Sequence, residues 1–547
     1  APCGGNAQGQ LSEHPIVQGR PENRAGRAEG REGHRYSDHP INEFRLYDFY
    51  QRQADYYIET GEDPEIIPAY PGMEAGLNGH WGRYNQFDLY DDIWSRMDNG
   101  PIVTSVIRQG RDQLVKAINL TLGEDQSVFA TFDQLQMSYR MVWKDEFLTY
   151  PEVRWGMMGL VQPATDPMLQ SWSNAWSKTT QWGNVYETSE LDYHGFFRHG
   201  NKAVFSYKVH GTAVLESPDA IRADRDAIFV RTLHFPEGIQ NLNLKFFKHP
   251  TEHRPTPVEN VKGLILTALN TLPGSYGLAV KSSDHLEGLT IEQSDDGYLY
   301  LAISDLKAGT TLTTYSWKTE QELPKIQVVI QAHDPVELND YIRGGPTHWP
   351  EEFTMTGELG EGNDPYVIDT IPVPIENPFA SPMYLSGVSF FENGDAAVAT
   401  FFGDIWLVKG IDDGLEKVTW KRNAQGTNQP LGLEVVDGKI YAICKDQITI
   451  FHDLNGDEET WERTVIWPDQ GTCGPLEFSI SAWDLDSGAL RHFFGVTGYD
   501  HGLLNFRRAL RDHSGISLYR DGFRVLPYGE PDNDWLRLDR RRVNNPT

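Results

Sequence analysis

Between residues 100 and 330 apolar and polar positions alternate in short runs with a period of two. PIVTSVIRQ (101–109), SVFATFD (127–133), YRMVWKD (139–145), KAVFSYKVHGTAVLES (202–217), AIFVRTLHF (227–235), LNLKFFKH (242–249), YGLAVKS (276–282), GLTIEQSDDGYLYLAIS (288–304) and TLTTYSWK (311–318) carry the pattern. Successive side chains of a strand point to opposite faces, so such runs predict half-buried antiparallel strands. His210-Gly211 and Asp295-Asp296-Gly297 place turns inside the two longest runs. Strands recurring between turn signals, with almost no helical window, predict a mainly β protein built on an antiparallel β-sandwich.

Residues 386–457 carry a second pattern. Val388–Phe391 and Ala396–Thr400 flank Asn393-Gly394-Asp395; Leu433–Val436 and Ile440–Ile443 flank Asp437-Gly438, and Ile448–Phe451 follows. Asn-Gly and Asp-Gly between apolar runs predict hairpins, because both central residues of a type I′ turn need positive φ. Strand–turn–strand units repeating at roughly 40–50 residues are how propeller blades read in sequence. Gly387 and Gly432 stand one such period apart.

The flanks differ in character. Residues 1–40 are rich in Gly, Arg, Glu and Gln without periodicity and predict a disordered tail. FRLYDFYQRQADYYI (44–58) has aromatics at helical spacing and predicts a short amphipathic helix. PTHWPEEFTMTGELGEGNDP (346–365) reads as a linker. The expected modules are therefore a β-rich 41–345, the linker, about two propeller blades over 366–475, and a small α+β segment over 476–547. From Leu476 onwards lysine is absent while arginine is frequent.

DPYVIDTIPVPIENPF (364–379), SGVSFFENGD, GDIWLVKGID, QPLGLEVVDGKIYAICKDQI and HDLNGD resemble the opening blades of quinoprotein-like sugar dehydrogenases. FFRHGNKAVFSYKVHGTAVLESP resembles the β-rich module that precedes the propeller in those exported bacterial proteins. The resemblance implies a propeller, pyrroloquinoline quinone with calcium as cofactors, and a periplasmic or extracellular location. SGISLYRDGFRVLPYGEPDNDWLRLDRRRVNNP (514–546) resembles a segment that follows the nucleotide pocket in relatives of Hsp90-type ATPases. The pocket signatures of that family are not found upstream, so no ATP site is expected. The chain reads as composite, possessing an incomplete propeller whose open sheet edges invite self-association.

Composition narrows the partners. The net charge of −30, from 78 acidic and 48 basic residues, repels phosphate, so nucleic acid is not an expected partner. No apolar run of about 18 residues is present, and no membrane span is expected. Cys3, Cys444 and Cys473 form neither a disulfide framework nor zinc spacing, and no C-x-x-C-H exists to attach haem. The chain opens at Ala1 without Met, as a processed product or fragment would.

Candidate chemistry is sparse. Asp453, Asn455 and Asp457 occupy alternating positions like the first ligands of a calcium loop, although Glu458 stands where the sharp turn wants glycine and Thr464 where a closing Glu belongs. A capped turn is the competing reading. Trp81, and Trp172, Trp176 and Trp182 within a polar stretch, are candidates for stacking on sugar rings; burial beneath a loop is the alternative. His452 is the histidine nearest the calcium-like loop, and its strand-end position favours a structural hydrogen bond. No catalytic residue is assigned, since no G-x-S-x-G, H-E-x-x-H or P-loop occurs. Two functions stay open: a quinoprotein-like sugar or alcohol dehydrogenase, incomplete and without turnover, or a non-catalytic carbohydrate-binding or scaffold protein.

Overall fold

The computed structural model describes residues 97–466, apart from breaks at 151–160, 180–189, 224, 250–254, 259–262, 271–273 and 361–368. It also describes two hairpins, Glu477–Asp484 with Ala489–Thr497 and Gly515–Tyr519 with Gly522–Leu526. The predicted tail 1–40 and helix 44–58 lie outside the described residues. Among the described residues the secondary structure is overwhelmingly antiparallel strand, as the alternation predicts. None of their helices is long and apolar enough to cross a membrane.

Strand Asp226–Phe235 shows why the sheets stack. Ile228 and Val230 point to one face, where helix Leu323–Ala332 packs Leu323, Ile326 and Ile330 against Tyr315 and Trp317. Phe229 and Arg231 point to the other, against Tyr139 of a separate sheet. That sheet begins with strands Ile102–Gln109, Asp112–Leu122, Val128–Asp133 and Ser138–Lys144. Its Phe132 stacks on Phe205 with ring centroids 4.0 Å apart. Only three core residues, spaced three and four apart, mark this helix in the sequence. In the β-rich region, strands Asp112–Leu122, Leu191–His199 and Ile265–Asn270 lie outside the alternating runs named above.

The hairpins of the second pattern form, with one difference in turn type. At Asp437-Gly438 both residues have positive φ (50° and 73°), as a type I′ turn demands. In the first hairpin only Gly394 of the Asn-Gly pair is left-handed, at φ 90°, and Phe391 N–H bonds to Asp395 C=O at 2.8 Å. This is a longer loop closed by glycine rather than a two-residue turn. Each hairpin grows into a four-stranded meander. The first runs Leu385–Phe390, Ala396–Thr400, Ile405–Lys409 and Val418–Ala424; the second runs Gly432–Val436, Lys439–Ile443, Ile448–His452 and Glu462–Ile466. Among the described residues no ring of blades closes.

Two boundaries drawn from the sequence do not hold. The last strand of the second meander pairs with Leu191–His199, so one twelve-stranded sheet runs from the meander into the β-rich region. The expected linker contributes strand Glu352–Met355 to the outer edge of the first meander, paired with Val418–Lys421. Its Trp349 is also buried, at 2% exposure. The edges expected to lie open are thus covered on their outer sides from within the chain.

A buried carboxylate fastens these parts. Glu459 is fully shielded, accepts Arg198 Nη2 at 2.8 Å, and accepts the backbone N–H groups of His348 and Trp349 at 2.9 and 2.7 Å. Removing one partner of such a pair strands the other charge in a low-dielectric interior. Glu459→Ala should therefore destabilise the fold by about 3–5 kcal/mol, measured by urea denaturation, with Glu459→Gln intermediate. A loss within experimental error for both variants would show that Arg198 is solvated.

Candidate functional site

The two meanders meet along their inner strands. Ser389 Oγ donates to Glu434 Oε1 and accepts Val435 N–H, both at 3.1 Å. A Cβ on Gly387 would lie 2.9 Å from Gly432 Cα, so the close approach requires glycine there. Beyond this contact the turns diverge and leave a groove of about 600 Å³. Phe390 and Phe391, Leu407 and Val435 supply its apolar surface, while Glu392, Asp395, Asp437, Glu458 and Lys409 supply its charge. Phe390 is 59% exposed, unusually open for so large an apolar side chain.

The charges are not equivalent. Lys409 Nζ is engaged by Glu458 at 2.9 Å and Glu352 at 3.1 Å, so the groove's lysine is already neutralised. Burial pushes the Glu458 carboxyl up, but hydrogen bonding and charge from Lys409 and Lys421 outweigh it and hold the group below its usual range. Asp395 accepts Asn393 Nδ2 at 2.7 Å and Gly410 N–H at 3.2 Å. The groove is therefore acidic, with an aromatic ring at its mouth.

The loop 453–457 forms a capped turn. Asp453 accepts the N–H groups of Asn455, Gly456 and Glu458 at 3.2, 2.7 and 2.8 Å. Asp457 accepts Glu459 N–H at 3.0 Å, Trp461 Nε1 at 2.9 Å and Thr347 Oγ1 at 3.1 Å. Asn455 Nδ2 donates to Gly345 C=O at 3.2 Å and Asp457 Oδ2 at 3.1 Å. Glu458, at the position that wants glycine, takes φ 67°. Among the described residues no group of three or more His, Cys, Asp or Glu is arranged to hold a metal.

Of the four candidate tryptophans, Trp172 and Trp176 lie among the described residues. Trp176 is 6% exposed and donates its indole N–H to Met137 C=O at 2.9 Å, so it is core rather than binding surface. Trp172 is half-buried against the cluster of Ile107, Phe129 and Trp143. Trp81 and Trp182 lie outside the described residues. His452 bonds Thr464 Oγ1 at 2.8 Å across the strand pair, the structural role its position suggested. Of the groove, the sequence supplied the turns but no signal that Phe390 would stay exposed, since alternation alone assigns it no partner.

A further polar feature is the Asp446 carboxylate, whose two oxygens are shielded and, among the described residues, form no hydrogen bond of normal geometry. Burial lifts it to about 6, with Lys116, Lys445 and Gln134 offsetting only part of the effect. A carboxyl raised in the folded state stabilises the fold when protonated, and this contribution disappears as pH rises through 6. Asp446→Asn should therefore be more stable than the parent at pH 8 by on the order of 1–3 kcal/mol. The difference should close below about pH 4, followed by urea denaturation across the range. A gap independent of pH would remove Asp446 as its source.

Comparison with known proteins adds one sequence match. The family model DUF6797, a domain of unknown function, matches residues 130–216, from within strand Val128–Asp133 to within Thr212–Ala223. No curated protein matches the chain. A candidate kojibiose phosphorylase from human microbiome is 9% identical, with TM-score 0.16, over 24% of this chain and 19% of that one. A polysaccharide lyase is 9% identical, with TM-score 0.18, over 62% of this chain and 45% of that one. The chain spans less than half the length of either solved structure, and likenesses at these scores carry no weight for fold or function.

Proposed function

We propose that this protein binds carbohydrate in the groove between the two meanders. The observation that carries the reading is Phe390, 59% exposed at the mouth of a concave, carboxylate-lined groove. Sugar rings present an apolar face of C–H groups that stacks on an aromatic ring, and a rim of hydroxyls that donate to carboxylates. In this reading Glu392 and Asp437, which line the groove, accept such hydroxyls and Phe390 takes the ring face. The reading proposed is binding without catalysis.

The quinoprotein reading rests on the resemblance and on the paired meanders. Pyrroloquinoline quinone carries carboxylates of its own, and the groove faces it with four carboxylates and a lysine already engaged. The groove's residues do not fit that cofactor, and no oxidation step is derived through it. Phe390→Ala should weaken binding of neutral oligosaccharides by about five- to thirty-fold, equivalent to about 1–2 kcal/mol of lost stacking, read by calorimetric titration against a small glycan panel. Absence of binding by the parent protein to every neutral glycan would sink the reading. Dye reduction with an aldose after adding the quinone and calcium would restore the dehydrogenase in its place.

A further inference from the structure

Two arginines share one face of the sheet where the second meander joins the β-rich region. Phe196 stands opposite Arg463 in the ladder, and Arg198 N–H bonds to Trp461 C=O. With a strand period of two, Arg198 lies on the same face as Phe196, and so diagonal to Arg463. Both are buried, at 3% and 4% exposure. The Arg198 guanidinium is held between Trp349 and Trp461, 4.7 and 4.2 Å from the ring centroids. Arg463 is flanked by Phe196 and Phe451 at 5.4 and 5.5 Å.

Their charges are unevenly matched. Arg198 Nη2 pairs with Glu459, whose oxygens also serve His348 and Trp349. Among the described residues, Arg463 Nη2 donates only to the backbone C=O of Gln425. Asp404 is taken by Arg422 at 2.7 Å and by Ser381. Among the described residues no carboxylate lies within ion-pair distance of Arg463. The Nη1 groups of both Arg198 and Arg463 are shielded and, among the described residues, without a hydrogen-bond partner. Burial, with repulsion from Arg198 second, pushes the Arg463 guanidinium down to about 9, in keeping with missing compensation. A buried guanidinium lacking a counter-charge is expensive, and interiors rarely tolerate one.

We infer that a small inorganic anion, of the size of chloride, binds at the buried Nη1 of Arg463 with Arg198 Nη1 as a second donor. Shielding of both donors from solvent favours a small, weakly hydrated ion over a bulky oxyanion. The anion supplies the negative charge that Glu459 and Asp404 cannot share, and it couples the last strand of the second meander to Leu191–His199.

The test uses the full chain in two measurements. Crystals grown with bromide replacing chloride should show an anomalous peak within hydrogen-bond reach of Arg463 Nη1. Thermal unfolding at fixed ionic strength should have a lower midpoint in gluconate than in chloride, and Arg463→Met should abolish the difference. The crystal result stands by itself if that variant fails to fold. Density at Nη1 that refines only as water, a direct Arg463–Asp446 contact, or equal midpoints for the parent in both salts would overturn the proposal.

Discussion

Glu459 is the constraint on which the arrangement turns. It sits in the loop after the third strand of the second meander, yet its carboxylate binds Arg198 of the β-rich region and the backbone of the segment leading into the first meander. Trp349, positioned by that contact, lies between Arg198 and Arg422, 4.7 and 5.2 Å from their guanidinium carbons. Arg422 then pairs with Asp404 and Asp98, at 2.7 and 3.1 Å. A run of alternating charge and aromatic ring thus crosses from one meander to the other. Buried ion pairs add little net stability, because desolvation offsets their attraction. What they do is penalise every arrangement in which a partner is missing, and that fixes how the meanders lie.

The groove follows from this fixation. Its walls combine turns with strand residues from two separate sheets, and turns tolerate side chains that strands would bury. Phe390 ends its strand with its ring exposed. Carboxylates collect at the same end because Asn, Asp and Gly dominate tight turns. An acidic, aromatic concavity is therefore a by-product of turn chemistry, which function can use without further design.

A second buried ion pair shows the same logic within the β-rich region. Arg231 donates to Glu216 at 2.5 and 3.2 Å, Tyr207 donates to the same carboxylate at 2.5 Å, and the Arg231 guanidinium lies 5.0 Å from the ring of Tyr139. Glu216, Arg231 and Tyr207 all sit in strands whose period places them toward the facing sheet. Burial and the Glu216 charge push the Tyr207 hydroxyl well above its ordinary range, so it stays a donor throughout the physiological range. The acidic surface implied by the net charge of −30 thus coexists with an interior that concentrates arginine.

Much of the secondary structure was legible in the chain itself. Alternation located the strand Asp226–Phe235 to within a residue, and Asp437-Gly438 specified its own turn because those backbone angles are local. The expected linker was misread for an equally clear reason: Trp349 is ordered by Glu459, 110 residues away, and nothing near it in sequence announces that partner. The polar neighbours of Trp176 left both stacking on a sugar and burial open, and Met137 with the facing strands decides for burial. The sequence by itself determined the strands, their faces and the tight turns, all set by interactions within a few residues. Only the tertiary structure decided which sheets joined, which charges were buried together and which aromatic stayed open, since each depends on partners brought close by folding alone.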